Sequence, residues 1–228
     1  MKYKAVIFDL FGTLVDNFNT SEYLQVLKEM SDVLHAPAEG FSKLWRDSFY
    51  QRTDGTHQTH EESIMLICRE LKVPCTETQL KKASQIRLDY SLRTLVPRPD
   101  VIPTIKKLKA MGYKVGLISD CSPETPIVWP KTLLDGIFDV TLFSCQVLLK
   151  KPDPRIYLLA CERLGVKPEE CLYIGDGSST ELTGALKVGM HPVMIRDPKE
   201  NADTHFIDRE ENWAGSKITS ISAVLGLL

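Results

Sequence analysis

The chain begins with an apolar run that ends in a carboxylate. Residues 5–8, with the sequence AVIF, precede Asp9, and Gly12 follows three residues later. An uninterrupted apolar run indicates a strand buried on both faces, which is typical of a parallel sheet covered by helices. Asp9 would then lie at the carboxyl end of the strand, where open α/β sheets bind their ligands. Because a buried carboxylate costs free energy, its expected partner is a cation or a reacting group.

Short apolar runs predict a sheet of four strands, with Pro192–Ile195 as a fifth. The runs are Lys4–Phe8, Lys114–Ile118, Phe138–Phe143, Cys171–Ile174 and Pro192–Ile195. Apolar residues at helical spacing separate them, and this alternation is typical of parallel strands joined by helical crossovers. We therefore predict an α/β fold, a Rossmann-like parallel sheet with helices on both faces. The tail 218–228 is predicted to be a final amphipathic segment.

One connection is too long to be a simple crossover, because about a hundred residues separate the first two predicted strands. Apolar residues recur at helical spacing through most of it. We predict that residues 17–94 form a helical cap domain, with a polar break at Gln51–His60. The cap would be inserted into a catalytic core made of residues 1–16 and 95–228. A lid in this position would close over the carboxyl end of the first strand and exclude water.

Composition limits the partners. Lys and Arg number 28 against 30 Asp and Glu, so the formal net charge of −2 offers no attraction to nucleic acid or to an anionic membrane. The six cysteines form no C-x-x-C pair, which fits a reducing cytoplasm. No leader is apparent, and no apolar run approaches the roughly 20 residues of a membrane span. We expect a cytoplasmic monomer or homodimer that acts on a small-molecule substrate.

Polar residues with useful chemistry follow four of the predicted strands. They are Asp9, then Ser119 with Asp120, then Lys151 before a proline, and finally Asp176 between two glycines. Because parallel strands point their carboxyl ends the same way, these side chains should converge in one crevice. Carboxylates bind hard cations, whereas a lysine and a hydroxyl stabilise an oxyanion. The sequence therefore predicts one active site at this edge of the sheet.

Four motifs in this order resemble the haloacid dehalogenase superfamily over nearly the whole chain. They are the Asp-x-x-Gly-Thr-Leu-Val-Asp start at residues 9–16, Ser119, Lys151 before Pro152, and Gly175-Asp176. The resemblance implies that Asp9 is a nucleophile that forms a covalent aspartyl intermediate. It also implies that Ser119 and Lys151 bind the oxyanion and that Thr13 helps to orient it.

The resemblance leaves the metal open, since phosphatases of the superfamily use Mg²⁺ and its haloacid dehalogenases use none. Asp176 favours the metal, because two carboxylates brought together repel each other unless a divalent cation lies between them. The predicted ligands are Asp9, the backbone oxygen of Phe11 and Asp176. Glu181 is a candidate outer ligand.

Phe11 departs from the superfamily's phosphatases, which carry an Asp at that position. That Asp protonates the leaving group, a contribution worth about 10²- to 10⁴-fold. Either the leaving group here needs little protonation, as with halide, enolate, acyl phosphate or aryl phosphate, or the cap supplies a donor, with His57 and His60 as candidates. A second departure is Asp120, which stands where Asn is common and adds negative charge to the site.

In the cap, Leu44-Trp45-Arg46 resembles a segment of the haloacid dehalogenases whose Arg faces the halide and the substrate carboxylate. Arg46 is therefore a candidate substrate residue. The alternative is a Trp in the cap core beside a solvated Arg.

Three functions remain open from the sequence. The leading hypothesis is Mg²⁺-dependent hydrolysis of a small phosphorylated metabolite through an aspartyl-phosphate. The second is a metal-free 2-haloacid dehalogenase, favoured by Phe11 and Arg46 and opposed by Asp176. The third is a catalytically impaired protein that binds a phosphorylated ligand without cleaving it.

Overall fold

A computed structural model describes residues 2–196 and 211–228 of the chain. The described residues form one six-stranded sheet in which every neighbouring pair is parallel, in the order β3-β2-β1-β4-β5-β6. The strands are β1 (Ala5–Phe8), β2 (Lys114–Ser119), β3 (Val140–Phe143), β4 (Cys171–Gly175), β5 (His191–Ile195) and β6 (Lys217–Ile218). The predicted parallel α/β sheet is confirmed. The two-residue strand β6 escaped prediction because it is too short to show a pattern.

Helices fill the connections between the strands. They are α1 (Thr20–Leu34), α2 (Ala38–Asp47), α3 (Phe49–Thr53), α4 (His60–Glu70), α5 (Glu77–Thr94), α6 (Val101–Ala110), α7 (Glu124–Val128), α8 (Ser144–Val147), α9 (Pro154–Leu164) and α10 (Glu181–Lys187). Short 3-10 turns lie at Trp129–Lys131, Pro168–Glu170, Ser178–Thr180 and Ile221–Leu227. The last of these turns buries Ile221 and Val224, as expected for the amphipathic tail.

The sheet has a separate apolar core on each face. Alternate residues of a strand point to opposite faces. Val6 and Phe8 of β1 belong to the core that includes α6 and the C-terminal turn, whereas Ala5 and Ile7 belong to the core that includes α9 and α10. Burial on both faces explains why these strands are apolar throughout.

A third apolar cluster lies within helices α1–α5, the segment that we call the cap. Its buried members run from Tyr23 to Tyr90 and include Trp45 at its centre. The predicted break at 51–60 is wrong in part, because α3 continues to Thr53 and α4 already begins at His60. The proposed domain limits at 16/17 and 94/95 stay predictions, and the core range also contains Met1 and residues 197–210, which lie outside the described residues.

The strand order decides where a ligand can bind. In a sheet of order 3-2-1-4-5-6, connections run in opposite directions from the boundary between β1 and β4, which leaves a crevice at their carboxyl ends. The Asp9 N–H donates to the Ile174 carbonyl at 2.8 Å, so Asp9 lies beside the end of β4. Asp176 follows β4 directly, and the sheet thus brings these two residues to its switch point.

The cap is joined to the core by a buried ion pair. Helix α5 packs against α7, and Arg87 on α5 donates from Nε and Nη2 to Glu124 Oε1 of α7 at 3.0 and 2.9 Å. Both side chains are almost completely buried. Burial alone would raise the pKa of Glu124, but Arg87 and the neighbouring His60 outweigh it and hold the pKa well below its ordinary value of 4.5. Glu124 is therefore ionised where the cap meets the core.

We predict that Glu124→Gln lowers the free energy of unfolding at pH 7 by about 3–5 kcal/mol, because it leaves the Arg87 charge buried without a partner. The depressed pKa means that the contribution of Glu124 is complete above its unfolded-state pKa and is lost as the pH falls through its folded-state pKa. The difference between wild type and variant should therefore shrink below about pH 4.5. Urea denaturation at a series of pH values measures it.

Glu77→Gln is the matched control, since Glu77 pairs with Lys81 on the surface of α5 and should contribute little. If the difference in free energy of unfolding between wild type and Glu124→Gln stays constant between pH 7 and pH 3, Glu124 is not the ionised, low-pKa carboxylate described here.

Candidate active site

Asp9 lies almost completely buried at the end of β1, 3% exposed. Its Oδ1 accepts a hydrogen bond from Lys151 Nζ at 2.5 Å, whereas its Oδ2 has no hydrogen-bond partner among the described residues. Burial raises the pKa of Asp9 to about 6, the Lys151 charge opposes this rise, and Asp176 adds to it. One oxygen of the predicted nucleophile is thus held in place and the other is unengaged.

Lys151 connects Asp9 to a second carboxylate. Its Nζ also donates to Glu181 Oε2 at 2.6 Å, and the side chain is 1% exposed. Burial by itself lowers the pKa of Lys151, but Asp9 and Glu181 outweigh it, so that the pKa stands well above its ordinary 10.5. Lys151 is therefore a permanent positive charge between two carboxylates.

Glu181 is fully engaged by donors. Besides Lys151, the Tyr173 hydroxyl donates to its Oε2 at 2.7 Å and the Gly177 N–H donates to its Oε1 at 3.0 Å. Burial, and then the charge of Asp9, raise the pKa of Glu181 well above its ordinary 4.5. These contacts position Lys151 beside Asp9, and the role of Glu181 as an outer metal ligand stays a prediction.

Asp176 completes the acidic cluster, because ligand oxygens of Asp9, Asp176 and Glu181 lie within 4.8 Å of one another. The Ser178 N–H donates to Asp176 Oδ1 at 2.8 Å, and Oδ2 has no hydrogen-bond partner within the described ranges. Gly12 makes this approach possible. A Cβ atom at residue 12 would clash with Asp176 Oδ2, and Gly12 has a φ of +74°.

A cavity of about 80 Å³ opens beside these residues, between the strand ends and the cap. Five of the predicted site residues line it: Asp9, Phe11, Asp120, Lys151 and Asp176. This volume is far below the roughly 300–1,000 Å³ of pockets for drug-sized ligands, and it therefore suits a small substrate. The Phe11 ring packs against Phe18 with centroids 5.0 Å apart, so an aromatic wall stands where the superfamily's phosphatases carry an acid.

Asp120 touches the same network from the end of β2. Its Oδ1 accepts a hydrogen bond from the Lys151 backbone N–H at 3.0 Å. Burial raises the pKa of Asp120, while the Lys151 charge and that hydrogen bond lower it. Asp120 therefore holds the backbone of Lys151 in place.

Ser119 and Thr13 lie beside the site without lining the cavity. Both side chains are fully buried, and neither hydroxyl oxygen has a hydrogen-bond partner among the described residues. Their predicted role in orienting or binding an oxyanion stays a prediction.

Arg46 does not lie where the sequence placed it. It is exposed on α2, its Nε donates to the Ser42 carbonyl at 3.2 Å, and it does not line the cavity. Trp45 instead fills the cap core, which was the alternative interpretation. His57 and His60 do not line the cavity either, and His60 faces Glu124 at 3.6 Å.

Sequence reasoning missed two other arginines that do line the cavity, Arg52 and Arg87. Arg52 fell in the stretch predicted to be a break. Arg87 shares the buried face of α5 with Ala83 and Tyr90, so a charged residue at an apolar-face position was the signal that could have found it.

The matches to known proteins agree with this geometry. A family model described as haloacid dehalogenase-like hydrolase matches residues 3–189. The chain belongs to this family. It is accordingly a hydrolase, and the resemblance seen in the four motifs is confirmed.

Relatives within the family carry out two different reactions. The chain is 31% identical to a glyceraldehyde 3-phosphate phosphatase of Methanopyrus kandleri over 204 residues, which cover 86% of this chain and 85% of the relative. It is also 31% identical to (S)-2-haloacid dehalogenase 4A of Burkholderia cepacia over 197 residues, which cover 84% and 82%. Sequence identity thus favours neither reaction.

Solved structures show the same fold. A HAD phosphatase from Thermococcus onnurineus superposes with a TM-score of 0.68 at 26% identity, covering 98% of this chain and 97% of that one. A 2-haloacid dehalogenase from Pseudomonas syringae superposes with a TM-score of 0.72 at 19% identity, covering 99% and 97%. Among the described residues, none of the helices has the length and apolarity needed to cross a bilayer.

We predict that Gly12→Ala lowers the free energy of unfolding by more than its backbone conformation explains. A left-handed φ costs a non-glycine residue roughly 1–2 kcal/mol, and a new Cβ would in addition force the Asp176 carboxylate and the Asn17 side-chain amide to move. Gly136→Ala is the control, because Gly136 has a similar φ of +71° and a Cβ added there would meet nothing within 4 Å. Equal losses in urea denaturation would show that Asp176 does not depend on Gly12.

Proposed function

We propose that this hydrolase removes a phosphoryl group from a small phosphorylated metabolite, with Asp9 as the nucleophile and Mg²⁺ as the cofactor. One observation carries the proposal. Asp9 and Asp176 each present a buried carboxylate oxygen that no described residue engages, at the switch point of the sheet and beside the cavity.

The donor set fits a divalent cation. Asp9 and Glu181 both contact the Lys151 ammonium, and carboxylate oxygens of Asp9, Asp176 and Glu181 lie within 4.8 Å of one another. One lysine cannot compensate that much negative charge in a buried site. Asp9, the backbone oxygen of Phe11 and Asp176 would hold the ion, since oxygen ligands of this kind suit Mg²⁺. When bound, Mg²⁺ would neutralise charge on the carboxylates and on the phosphoryl oxygens.

The protein's own residues explain the covalent step. An Asp9 oxygen attacks phosphorus, and the bond from phosphorus to the leaving-group oxygen breaks. The resulting aspartyl-phosphate is then hydrolysed by water, which releases phosphate and restores the carboxylate. Lys151 fixes the orientation of Asp9 by its 2.5 Å hydrogen bond and places a positive charge beside the phosphoryl oxygens. Glu181 and Asp120 hold Lys151 in position.

Phe11 limits which leaving groups can depart. A phenyl ring transfers no proton, so the alkoxide of an ordinary alkyl phosphate would leave without assistance. Leaving groups that are stable as anions, such as enolates, carboxylates and phenolates, need no such assistance. We therefore infer a preference for aryl, enol or acyl phosphates.

A metal-free 2-haloacid dehalogenase is the second candidate. The Lys151–Asp9 ion pair, the aromatic Phe11 and the relative from Burkholderia cepacia favour it. In that reaction Asp9 would displace halide from carbon and form an ester, which water then hydrolyses. The unpartnered oxygens of Asp9 and Asp176 favour the phosphatase, because the metal-free dehalogenase reaction would use an oxygen of Asp9 and none of Asp176.

We predict that the protein releases phosphate from an aryl phosphate only when Mg²⁺ is present. EDTA should abolish the release, and excess Mg²⁺ should restore it. Asp9→Asn should reduce turnover to background, whereas Asp135→Asn, an exposed residue outside the cavity, should keep full activity. The measurement is a malachite-green assay run beside halide release from 2-chloropropionate.

Phosphate release that survives EDTA would contradict the Mg²⁺ assignment. Halide release without metal, and without any phosphate release, would replace the proposal by the dehalogenase. If neither product forms while Asp9→Asn still binds phosphate esters, the chain is a binding protein.

We predict that Phe11→Asp raises kcat/KM for an alkyl phosphate by about 10²-fold relative to an aryl phosphate, because it restores a proton donor at the leaving group. Phe11→Asn is the matched control. It removes the same ring and has similar size and polarity but moves no proton. An equal gain in both variants would attribute the effect to space in the cavity, and no gain in either would refute our account of Phe11.

A further inference from the structure

The cap side of the cavity carries two buried arginines, and the charge of one carboxylate, Glu124, acts on both. Arg52 on α3 and Arg87 on α5 are 1% and 3% exposed, and both line the cavity that contains Asp9. Arg87 is paired with Glu124, as described above. Among the described residues Arg52 makes no salt bridge, and its Nη1 donates only to neutral oxygens, the Trp45 carbonyl and Ser48 Oγ.

Each guanidinium has one buried nitrogen whose hydrogen-bonding capacity no described residue uses. The Nε of Arg52 and the Nη1 of Arg87 are buried and have no hydrogen-bond partner in the described part of the chain. Leaving a buried charged donor unsatisfied costs more than leaving a neutral one. A fold that holds two such donors beside one cavity is suited to an anion that arrives from solution.

The surroundings hold these arginines rigidly. The guanidinium of Arg87 lies 5.0, 5.2 and 5.6 Å from the ring centres of Tyr23, Tyr90 and Phe18, and that of Arg52 lies 4.4 Å from the Trp45 ring. Aromatic faces attract cations and exclude water. An anion bound here would accept hydrogen bonds from the N–H groups of the two arginines. The local dielectric is low, and charge-assisted hydrogen bonds are strong under that condition.

The charges on the two sides of the cavity are opposite. The strand ends present several carboxyl groups with one lysine, whereas the cap presents two arginines, one of which pairs with Glu124 of the core. A phosphoryl group with its metal would fit the first side. The second side then accepts a different anionic group of the same molecule.

We propose that Arg52 and Arg87 form a subsite for a carboxylate, so that the substrate is a small phosphorylated carboxylic acid. This inference rests on the proposed function for the phosphoryl end only. A carboxylate is preferred to a second phosphate because the cavity measures only about 80 Å³ and because a carboxylate matches the planar guanidinium. Arg52 is the key residue, since Arg87 is already shared with Glu124.

The test compares three ligands on the Asp9→Asn protein, which cannot turn them over. They are phosphoglycolate, ethyl phosphate, which has the same length without the carboxylate, and ethylene glycol bisphosphate. Isothermal titration with Mg²⁺ gives each Kd. We expect phosphoglycolate to bind about 10- to 100-fold more tightly than ethyl phosphate, the range of one or two charge-assisted hydrogen bonds, and more tightly than the bisphosphate.

Arg52→Gln in the same background should bring the ratio for phosphoglycolate over ethyl phosphate close to one. Arg46→Gln is the matched control, because Arg46 lies in the same cap but is exposed and outside the cavity. It should leave the ratio unchanged. Arg52→Lys should retain part of the preference, because it keeps the positive charge but loses the planar pair of N–H donors. This second variant keeps the test informative if Arg52→Gln fails to fold.

A wild-type ratio near one, or an unchanged ratio in a folded Arg52→Gln protein, would overturn the subsite. Tighter binding of the bisphosphate would overturn the carboxylate assignment. A separate arm compares propionate with propanamide on the wild-type protein without metal. Tighter binding of propionate supports the subsite even if the protein releases no phosphate, so that failure of the proposed function and failure of the subsite remain distinct.

Discussion

The ammonium of Lys151, held between Asp9 and Glu181, is the interaction on which the site depends. Without a buried cation, three carboxyl groups within 4.8 Å of one another would be driven apart or protonated. The sheet supplies Asp9, and the connection after β3 supplies Lys151. Two glycines make the packing possible, since a Cβ at Gly175 would clash with Glu181 Oε1 and one at Gly12 would clash with Asp176.

The charged side chains are distributed unequally between the two sides of the cavity. Carboxyl groups gather at the strand ends, and arginines gather in the cap, with Glu124 reaching from the core to one of them. This buried ion pair links the cap to the core, whereas Arg52 makes no salt bridge among the described residues. If the proposed subsite is correct, Arg87 serves both substrate recognition and the attachment of the cap. In our proposal, a phosphoryl group together with its metal would face the carboxyl groups, and a second anionic group of the same ligand would face the arginines.

The sequence predicted that Asp9, Lys151 and Asp176 would converge, because each comes after a strand with an apolar pattern, and the structure brings the three together. The same logic could not place Arg46 correctly, because three residues of a helix do not show which side of it faces the cavity. Arg52 was hidden in a stretch whose glycine and polar residues indicated a loop. Glu181 was expected near the metal, but its donors Lys151, Tyr173 and Gly177 come from elements whose approach only the folded chain reveals.

The most direct measurement of the central claim is the anomalous scattering of a crystal soaked in Mn²⁺, a substitute for Mg²⁺. The account predicts one strong peak at coordination distance, about 2.0–2.2 Å, from a carboxylate oxygen of Asp9 and one of Asp176. The Lys151–Glu181 contact should remain intact. A crystal that shows no peak there, with both carboxylates turned toward protein donors, would contradict it.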